Sequence, residues 1–138
     1  MYIIVIGSGN SGSHLANILS EKGEEVVVID KDERNFNKLS PSFSGFNFTG
    51  DATNINVLKQ AKIRQADLVV VTTGDDIVNS MVSQTVKYIF EVPKVMVRVI
   101  DTEKISFYDD IPVEIFSPIN MLVDKLIENI YENEGNKQ

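Results

Sequence analysis

The first thirty residues constrain the fold of this chain more than any other stretch. Residues 2–6 form a short apolar, β-branched run, and glycines in the spacing GxGxxG follow it at residues 7–12. A helix-like segment comes next, and then a second apolar run at residues 25–30 that ends in an acid. This order predicts a strand, a tight turn, a helix and a second parallel strand, which is the βαβ unit that binds dinucleotides.

Each glycine of the loop has a predicted physical purpose. Gly7 permits the tight turn, Gly9 lets the backbone approach a pyrophosphate, and Gly12 lets the helix lie close to the strand. The exposed N–H groups at the start of the helix and the helix dipole then favour a phosphate at this point. The predicted loop site comprises Gly7, Ser8, Gly9, Asn10, Ser11 and Gly12.

Asp30 stands at the end of the second strand, where a ribose-binding carboxylate is expected. It would accept hydrogen bonds from both ribose hydroxyls, and its charge would repel a 2′-phosphate. This favours NAD or an ATP-type ligand over NADP, although the positive charge of the neighbouring Lys31 slightly offsets the repulsion of a 2′-phosphate. The structural alternative for Asp30 is the N-cap of the following helix.

Composition limits the class of protein. The 138 residues fit one domain, and a net charge of −7 argues against a nucleic-acid partner and against docking on an anionic membrane by charge alone. The chain has no cysteine, which excludes disulfides and thiolate chemistry. We expect no signal peptide, and no apolar run approaches the roughly 20 residues needed to cross a bilayer. These features favour a soluble, cytoplasmic protein.

Beyond residue 30, predicted strands alternate with predicted helices. The strands are expected at residues 46–49, 67–73, 94–100 and 113–116. Strands that alternate with helices form parallel sheets with right-handed crossovers. The sequence therefore predicts an α/β fold, a Rossmann-like, doubly wound, six-stranded parallel sheet.

Two predicted helices show apolar faces. In the first helix, Leu15, Ile18 and Leu19 are expected to face the sheet. A later helix, capped by Asp75 or Asp76, is expected at residues 77–90. Its apolar stripe contains Ile77, Val78, Met81, Val82, Val86 and Ile89.

The last segment differs from the rest of the chain. A helix that starts near Pro118 carries a narrow apolar seam, with polar residues on its other face. The sequence therefore predicts a nucleotide-binding domain at residues 1–117 and a helix and tail at residues 118–138 that contact another subunit. The seam residues are Ile119, Leu122, Val123, Leu126, Ile127 and Ile130.

Ligands of doubly wound sheets bind outside the carboxyl ends of the strands, where the strand order reverses. The sequence places several groups at that edge besides the glycine loop. They are Asp30, Lys31, Asp51, Ala52, Thr53, Thr72, Thr73, Gly74 and Arg98. We predict no catalytic residue and no metal ligand among them.

Five motifs together resemble the RCK or KTN (TrkA-N) family, the nucleotide-binding domains of potassium-transport regulators. They are IVIGSGNSG at residues 4–12, VIDKD at 28–32, GDAT at 50–53, ADLVVVTTGDD at 66–76 and VRV at 97–99. The first two occur in many Rossmann proteins. The combination of GDAT after the third strand with TTGDD after the fourth is much more specific.

The resemblance implies a cytoplasmic gating subunit or domain of a potassium uptake system or channel. Such domains bind NAD(H), ATP, ADP or AMP, form homodimers or higher rings, and lie against the inner face of the membrane through a transporter subunit. By the same resemblance, Asp30 holds the adenosine ribose, and Asp51 with Thr53 borders the adenosine. Thr72, Thr73 and Gly74 line the phosphate or distal side, Arg98 lies near the cleft, and the terminal helix is a crossover helix that contacts a neighbouring subunit.

One departure from the family pattern bears on the ligand. Many ATP-responsive members carry Arg after the second glycine of the loop, whereas this chain has the neutral Asn10. Two other functions remain open. One is the cofactor domain of a small NAD-dependent oxidoreductase, which would need a substrate surface and an acid or base. The other is a methyltransferase-like binder of S-adenosylmethionine.

Overall fold

A six-stranded, all-parallel sheet forms the centre of the protein in the computed structural model, which describes the backbone of residues 1–135 and the side chains of residues 1–132. The strand order is β3-β2-β1-β4-β5-β6, so the direction of winding reverses between β1 and β4. This arrangement confirms the predicted doubly wound fold. The strands are β1 (Tyr2–Ile6), β2 (Glu25–Asp30), β3 (Phe46–Thr49), β4 (Leu68–Val71), β5 (Lys94–Arg98) and β6 (Glu114–Phe116).

Helical segments make the connections between the strands. Two of these connections contain only a short 3₁₀ segment, at Glu33–Lys38 and Thr102–Tyr108, and in a third the 3₁₀ segment Ile63–Gln65 follows an α-helix. The α-helices are α1 (Asn10–Glu21), α2 (Ile55–Gln60), α3 (Asp76–Gln84) and α4 (Pro118–Gly135).

The core lies in two layers, one on each face of the sheet, because successive side chains of a strand point to opposite faces. On one face, Ile4 and Ile6 pack with side chains from α2 and α3, such as Leu58 and Val82. On the other face, alternate residues of β1 and β2 pack with α1 and the 3₁₀ segment Glu33–Lys38. Covering on both faces explains why the central strands are apolar runs rather than alternating ones.

Small residues form the face of α1 that is buried against the sheet. These are Gly12, Ser13, Ala16 and Ser20, whereas Leu15 and Leu19 pack at the flank. The prediction for Ile18 was wrong, since 37% of its surface is exposed. Small side chains let this helix approach the strands closely, and the larger ones are left to its sides.

The predicted helix at residues 77–90 is an α-helix only as far as Gln84. Thr85–Ile89 continue as a π-helical turn, in which the Phe90 N–H donates to the Thr85 carbonyl oxygen. The predicted stripe is split between two faces, and this division begins before the π-helical turn. Val82 and Val86 are buried, whereas Ile77, Met81 and Ile89 are more than half exposed.

Helix α4 leaves its apolar seam in solvent. The exposed fraction of the six seam residues runs from 47% at Val123 to 62% at Leu122. The helix ends at Gly135, so the predicted segment 118–138 extends three residues beyond the described part of the chain. None of the helices within residues 1–135 combines the length and the apolar character required to span a bilayer.

Candidate functional site

A cleft of about 390 Å³ opens at the carboxyl ends of the strands, at the point where the strand order reverses. The turns after β1, β2, β3, β4 and β5 all contribute to it. Its lining contains Ile6, Gly7, Gly9, Ile29, Asp30, Lys31, Asn35, Gly50, Asp51, Thr72, Thr73, Gly74, Asp75, Val78 and Arg98.

Packing explains two of the three loop glycines. Gly7 has a φ of +105°, and a Cβ there would lie 2.7 Å from the Thr72 carbonyl oxygen. A Cβ on Gly12 would lie 1.9 Å from the Gly7 carbonyl oxygen. Both positions therefore need glycine to let β1, α1 and the end of β4 come together.

Gly9 is different, because a Cβ at this position would meet no protein atom within 4 Å. Gly9 lines the cleft and is the N-cap of α1, where no side chain bonds the first N–H groups and no acid occupies the first turn. The unpaired N–H groups and the positive end of the helix dipole make this end of α1 suitable for an anion.

The Asp30 carboxylate is fixed at the end of β2 by three hydrogen bonds. Its Oδ2 accepts from the Ser8 N–H at 2.8 Å, and its Oδ1 accepts from the Asp32 N–H at 2.8 Å and from Asn35 Nδ2 at 3.2 Å. A carboxylate offers about four acceptor positions, so acceptor capacity remains for a ligand hydroxyl. The N-cap of the following 3₁₀ segment is Asp32, not Asp30.

A second acid, Asp51, lines the cleft at the end of β3. The Thr53 hydroxyl donates to its Oδ1 at 2.7 Å and the Thr53 N–H donates to the same atom at 2.9 Å. These hydrogen bonds, followed by the charge of Lys31, hold the pKa of Asp51 below its usual value. Asp51 is therefore an ionised acceptor at neutral pH.

Arg98 brings a cation to the opposite side of the cleft. Its Nη2 donates to the carbonyl oxygens of Thr73 at 2.7 Å and Thr72 at 3.2 Å. Its Nε is buried without a hydrogen-bond partner, and no described carboxylate forms an ion pair with it. A partly buried guanidinium without a counter-ion is a costly arrangement that an anionic ligand would relieve.

Asn79, which the sequence analysis did not single out, fixes the turn after β4. It is fully buried in α3, and its Oδ1 accepts from the N–H and the hydroxyl of Thr73. Its Nδ2 donates to the carbonyl oxygens of Thr73 at 3.1 Å and Arg98 at 3.2 Å. One amide thereby joins α3, the turn after β4 and the end of β5.

Nine of the predicted site residues line the cleft, and six do not. Asn10 and Ser11 are exposed at the start of α1, and Ser8 and Gly12 are buried behind the loop. Ala52 belongs to the core, and Thr53 reaches the site only through its bonds to Asp51. The lining residues that the sequence analysis did not predict are Ile6, Ile29, Asn35, Gly50, Asp75 and Val78.

Sheet order, glycine loop and cleft together define a protein of the Rossmann class. Residues 3–118 match the TrkA-N domain family, and the chain belongs to that family. The resemblance that the five motifs predicted is thereby confirmed.

Two similar proteins are named as potassium uptake proteins of the Trk system. The Trk system potassium uptake protein TrkA of Streptomyces coelicolor is 27% identical over 130 residues, which are 94% of this chain and 58% of that protein. The TrkA homolog of Pyrococcus abyssi is 32% identical over 113 residues, 80% of this chain and 49% of that protein. The chain spans about half the length of the curated relatives it matches.

Solved structures share the fold. The TrkA-N domain of the inner membrane protein YbaL from Escherichia coli has a TM-score of 0.82 at 14% identity. The match covers 92% of this chain and 94% of the YbaL chain. The GsuK channel bound to NAD has a TM-score of 0.77 at 24% identity, over 96% of this chain and 24% of its own. The Kef CTD of Shewanella denitrificans, in AMP-bound form, has a TM-score of 0.75 at 19% identity, over 95% of this chain and 80% of its own.

Proposed function

We propose that this chain is the nucleotide-sensing domain of a regulatory subunit of a potassium uptake system or channel, with NAD(H) or an adenine nucleotide (ATP, ADP or AMP) as the signal. The observation that carries the proposal is the cleft of a TrkA-N protein that holds a fixed carboxylate, Asp30, near the open N-terminus of α1. The relatives named TrkA and the neighbours bound to NAD and AMP support the same reading.

The cleft offers complementary groups to each part of such a ligand. Asp30 accepts the hydroxyls of the adenosine ribose, and Asp51 borders the adenosine. The backbone at Gly9 takes the pyrophosphate or phosphate against the start of α1. Thr73 and Arg98 line the phosphate or distal side of the ligand. Asn10 carries no positive charge. Among the residues that line the cleft opposite Asp30, Arg98 is therefore the cation available to a phosphate.

In this proposal the domain binds the nucleotide as a signal and does not catalyse a reaction of it. A hydride-transfer enzyme places an acid or base beside the nicotinamide. The acids of the cleft lining are engaged by the protein itself, since Asp30 and Asp51 accept backbone N–H groups and Asp75 caps α3. The subunit works in the cytoplasm, at the inner face of the membrane, through a potassium-translocating partner.

Helix α4 provides the contact to a second copy of the chain. All six residues of its apolar seam are about half exposed, and burying such a seam against another subunit removes apolar surface from water. A dimer, or a ring built from dimers, would carry a ligand-dependent change of one domain to its neighbour.

Replacing Asp30 by Asn is expected to weaken nucleotide binding. The variant loses charge-assisted hydrogen bonds to the ribose, which costs about 2 kcal/mol or a roughly 30-fold rise in Kd. Isothermal titration with NAD⁺, NADH, ATP, ADP and AMP measures this change. A thermal-shift panel is a parallel test, because a ligand at about 100 times its Kd stabilises the protein by roughly 2.7 kcal/mol.

The matched control is Asp32→Asn, which removes a neighbouring carboxylate that caps a 3₁₀ segment and does not line the cleft. It should bind nucleotides as the wild type does. Each variant is compared with its own ligand-free state, because Asp30 also fixes Ser8 and Asn35. The proposal fails if none of these nucleotides stabilises the wild type, or if only S-adenosylmethionine does.

Replacing Leu126 by Glu is expected to convert dimers into monomers without affecting nucleotide binding. Leu126 is 52% exposed, so the change should alter the stability of the domain itself by less than about 0.5 kcal/mol. Light scattering coupled to size-exclusion chromatography gives the mass. Lys125→Gln changes the net charge equally on the opposite face of α4 and should leave the mass unchanged. Equal masses for wild type and Leu126→Glu would contradict a contact through the seam.

A further inference from the structure

Two nitrogen atoms of the Arg98 guanidinium differ in whether they have a hydrogen-bond partner. Nη2 is satisfied by the carbonyl oxygens of Thr72 and Thr73, whereas Nε is buried and has no partner among the described residues. Buried polar groups of folded proteins are nearly always paired, so an orphaned donor on a charged side chain calls for an explanation. Arg98 lines the cleft, and a ligand can supply the missing partner once the side chain turns its covered Nε toward the cleft.

The two carbonyl oxygens are neutral acceptors, and a phosphate is a charged one. Hydrogen bonds between a guanidinium and a phosphate are shorter and stronger than those to neutral acceptors, and they are often bidentate. In the planar guanidinium, Nε–H and one N–H of Nη2 lie on the same edge. A phosphate that takes this edge must displace a carbonyl oxygen from Nη2.

We propose that Arg98 recognises the phosphate of the bound nucleotide by exchanging the carbonyl oxygens of Thr72 and Thr73 for phosphate oxygens. This inference rests on the proposed nucleotide-sensing function and specifies its ligand chemistry. It makes Arg98 the side chain that, together with the backbone at Gly9, separates nucleotides from nucleosides. It also makes the turn after β4 the first part of the protein to register the ligand.

The other hydrogen bonds of Thr73 and Arg98 determine which contacts remain after the exchange. With Arg98 on the phosphate, the Thr73 carbonyl keeps only the 3.1 Å bond from Asn79 Nδ2. The same amide holds the Arg98 carbonyl at 3.2 Å, so the backbone of β5 stays attached to α3 when the side chain moves. The ligand therefore loosens one turn of the chain without opening the sheet.

The test compares AMP with adenosine on the wild-type chain and on Arg98→Gln, which removes the charge and keeps an amide donor for the carbonyl oxygens. We expect the wild type to bind AMP at least about 10-fold more tightly than adenosine, and the variant to lose most of this ratio while still binding adenosine. Arg98→Lys, which keeps the charge, should retain part of the ratio.

A second readout follows the exchange itself. The Arg98 Nε–H signal in an ¹⁵N–¹H spectrum, identified by its loss in Arg98→Lys, should move when AMP is added and stay in place with adenosine. The ¹³C shift of the Thr73 carbonyl should move with it. The inference is overturned if Arg98→Gln keeps the wild-type ratio, or if AMP binds and neither signal moves. Failure of the wild type to bind either compound would instead overturn the proposed function.

Discussion

Gly12→Ala is expected to lower the free energy of unfolding by about 2–4 kcal/mol, whereas Gly9→Ala should lower it by less than about 1 kcal/mol. The two residues belong to the same loop, and the difference arises from what a methyl group would meet. At Gly12 the new Cβ would lie 1.9 Å from a backbone carbonyl oxygen, so α1 must move away from β1. At Gly9 the methyl group enters open space, and the cost is that of a poorer N-cap. Urea unfolding of both variants measures the two values.

For ligand binding, the larger effect is expected from Gly9→Ala, the variant that destabilises the fold less. A methyl group on Gly9 stands where a phosphate approaches the first N–H groups of α1, so Gly9→Ala should raise the Kd for adenine nucleotides by about 10-fold or more. Titration at a temperature far below unfolding keeps binding separate from stability. If Gly9→Ala binds nucleotides as the wild type does, the phosphate does not lie against this turn.

Asn79→Ala is expected to destabilise the protein by about 2–4 kcal/mol. The variant removes a fully buried amide and leaves hydrogen-bonding groups of Thr73 and Arg98 without their partner. Thermal and urea unfolding give the value. Asn120→Ala, an exposed position on α4, serves as the control and should change stability by less than about 0.5 kcal/mol.

Asn79→Asp tests whether the amide donors are the cause. It keeps the size of the side chain but presents oxygen to the carbonyl oxygens of Thr73 and Arg98, so it should destabilise at least as much as Asn79→Ala. A loss below about 1 kcal/mol for both variants would contradict the assigned role of Asn79.

The turn after β4 and the loop after β5 are thus held by side chains of α3 that do not line the cleft. Asn79 fixes the first, and Asp76 fixes the second by accepting the N–H groups of Ile100 at 2.8 Å and Asp101 at 2.9 Å. Under the proposed function, a ligand that displaces Arg98 from Thr73 would act on a turn that Asn79 ties directly to the amino-terminal part of α3.

The fold was predictable because each of its signals is local. A strand buried on both faces must be apolar throughout, and a turn that enters a helix next to a strand must use glycine. The faces of the helices were less predictable. The stripe from Ile77 to Ile89 assumes 3.6 residues per turn, and the π-helical turn at Thr85–Ile89 breaks that period. No residue between Ile77 and Ile89 indicates this change of helical period in the sequence.

Residues of the cleft lining could be predicted where they end a strand, as Asp30 and Arg98 do, or follow it directly, as Thr72 does. Asn79 and Asn35 could not be recognised in this way, because both lie in helical segments several residues beyond a strand. The available signal for Asn79 was an amide side chain about one turn before the apolar Val82 in α3. In a helix of ordinary amphipathic pattern, that signal does not distinguish a buried amide from an exposed one.

If a second copy covers the seam of α4, as proposed, the stability of that helix depends on the protein concentration. A helix of its length is marginal in water unless its apolar face is covered, and the seam from Ile119 to Ile130 is uncovered within one copy. On dilution the helix should fray before the sheet melts, and proteases should cut there first. The helical content of α4 would then rise with the concentration of the chain, as the second copy covers the seam.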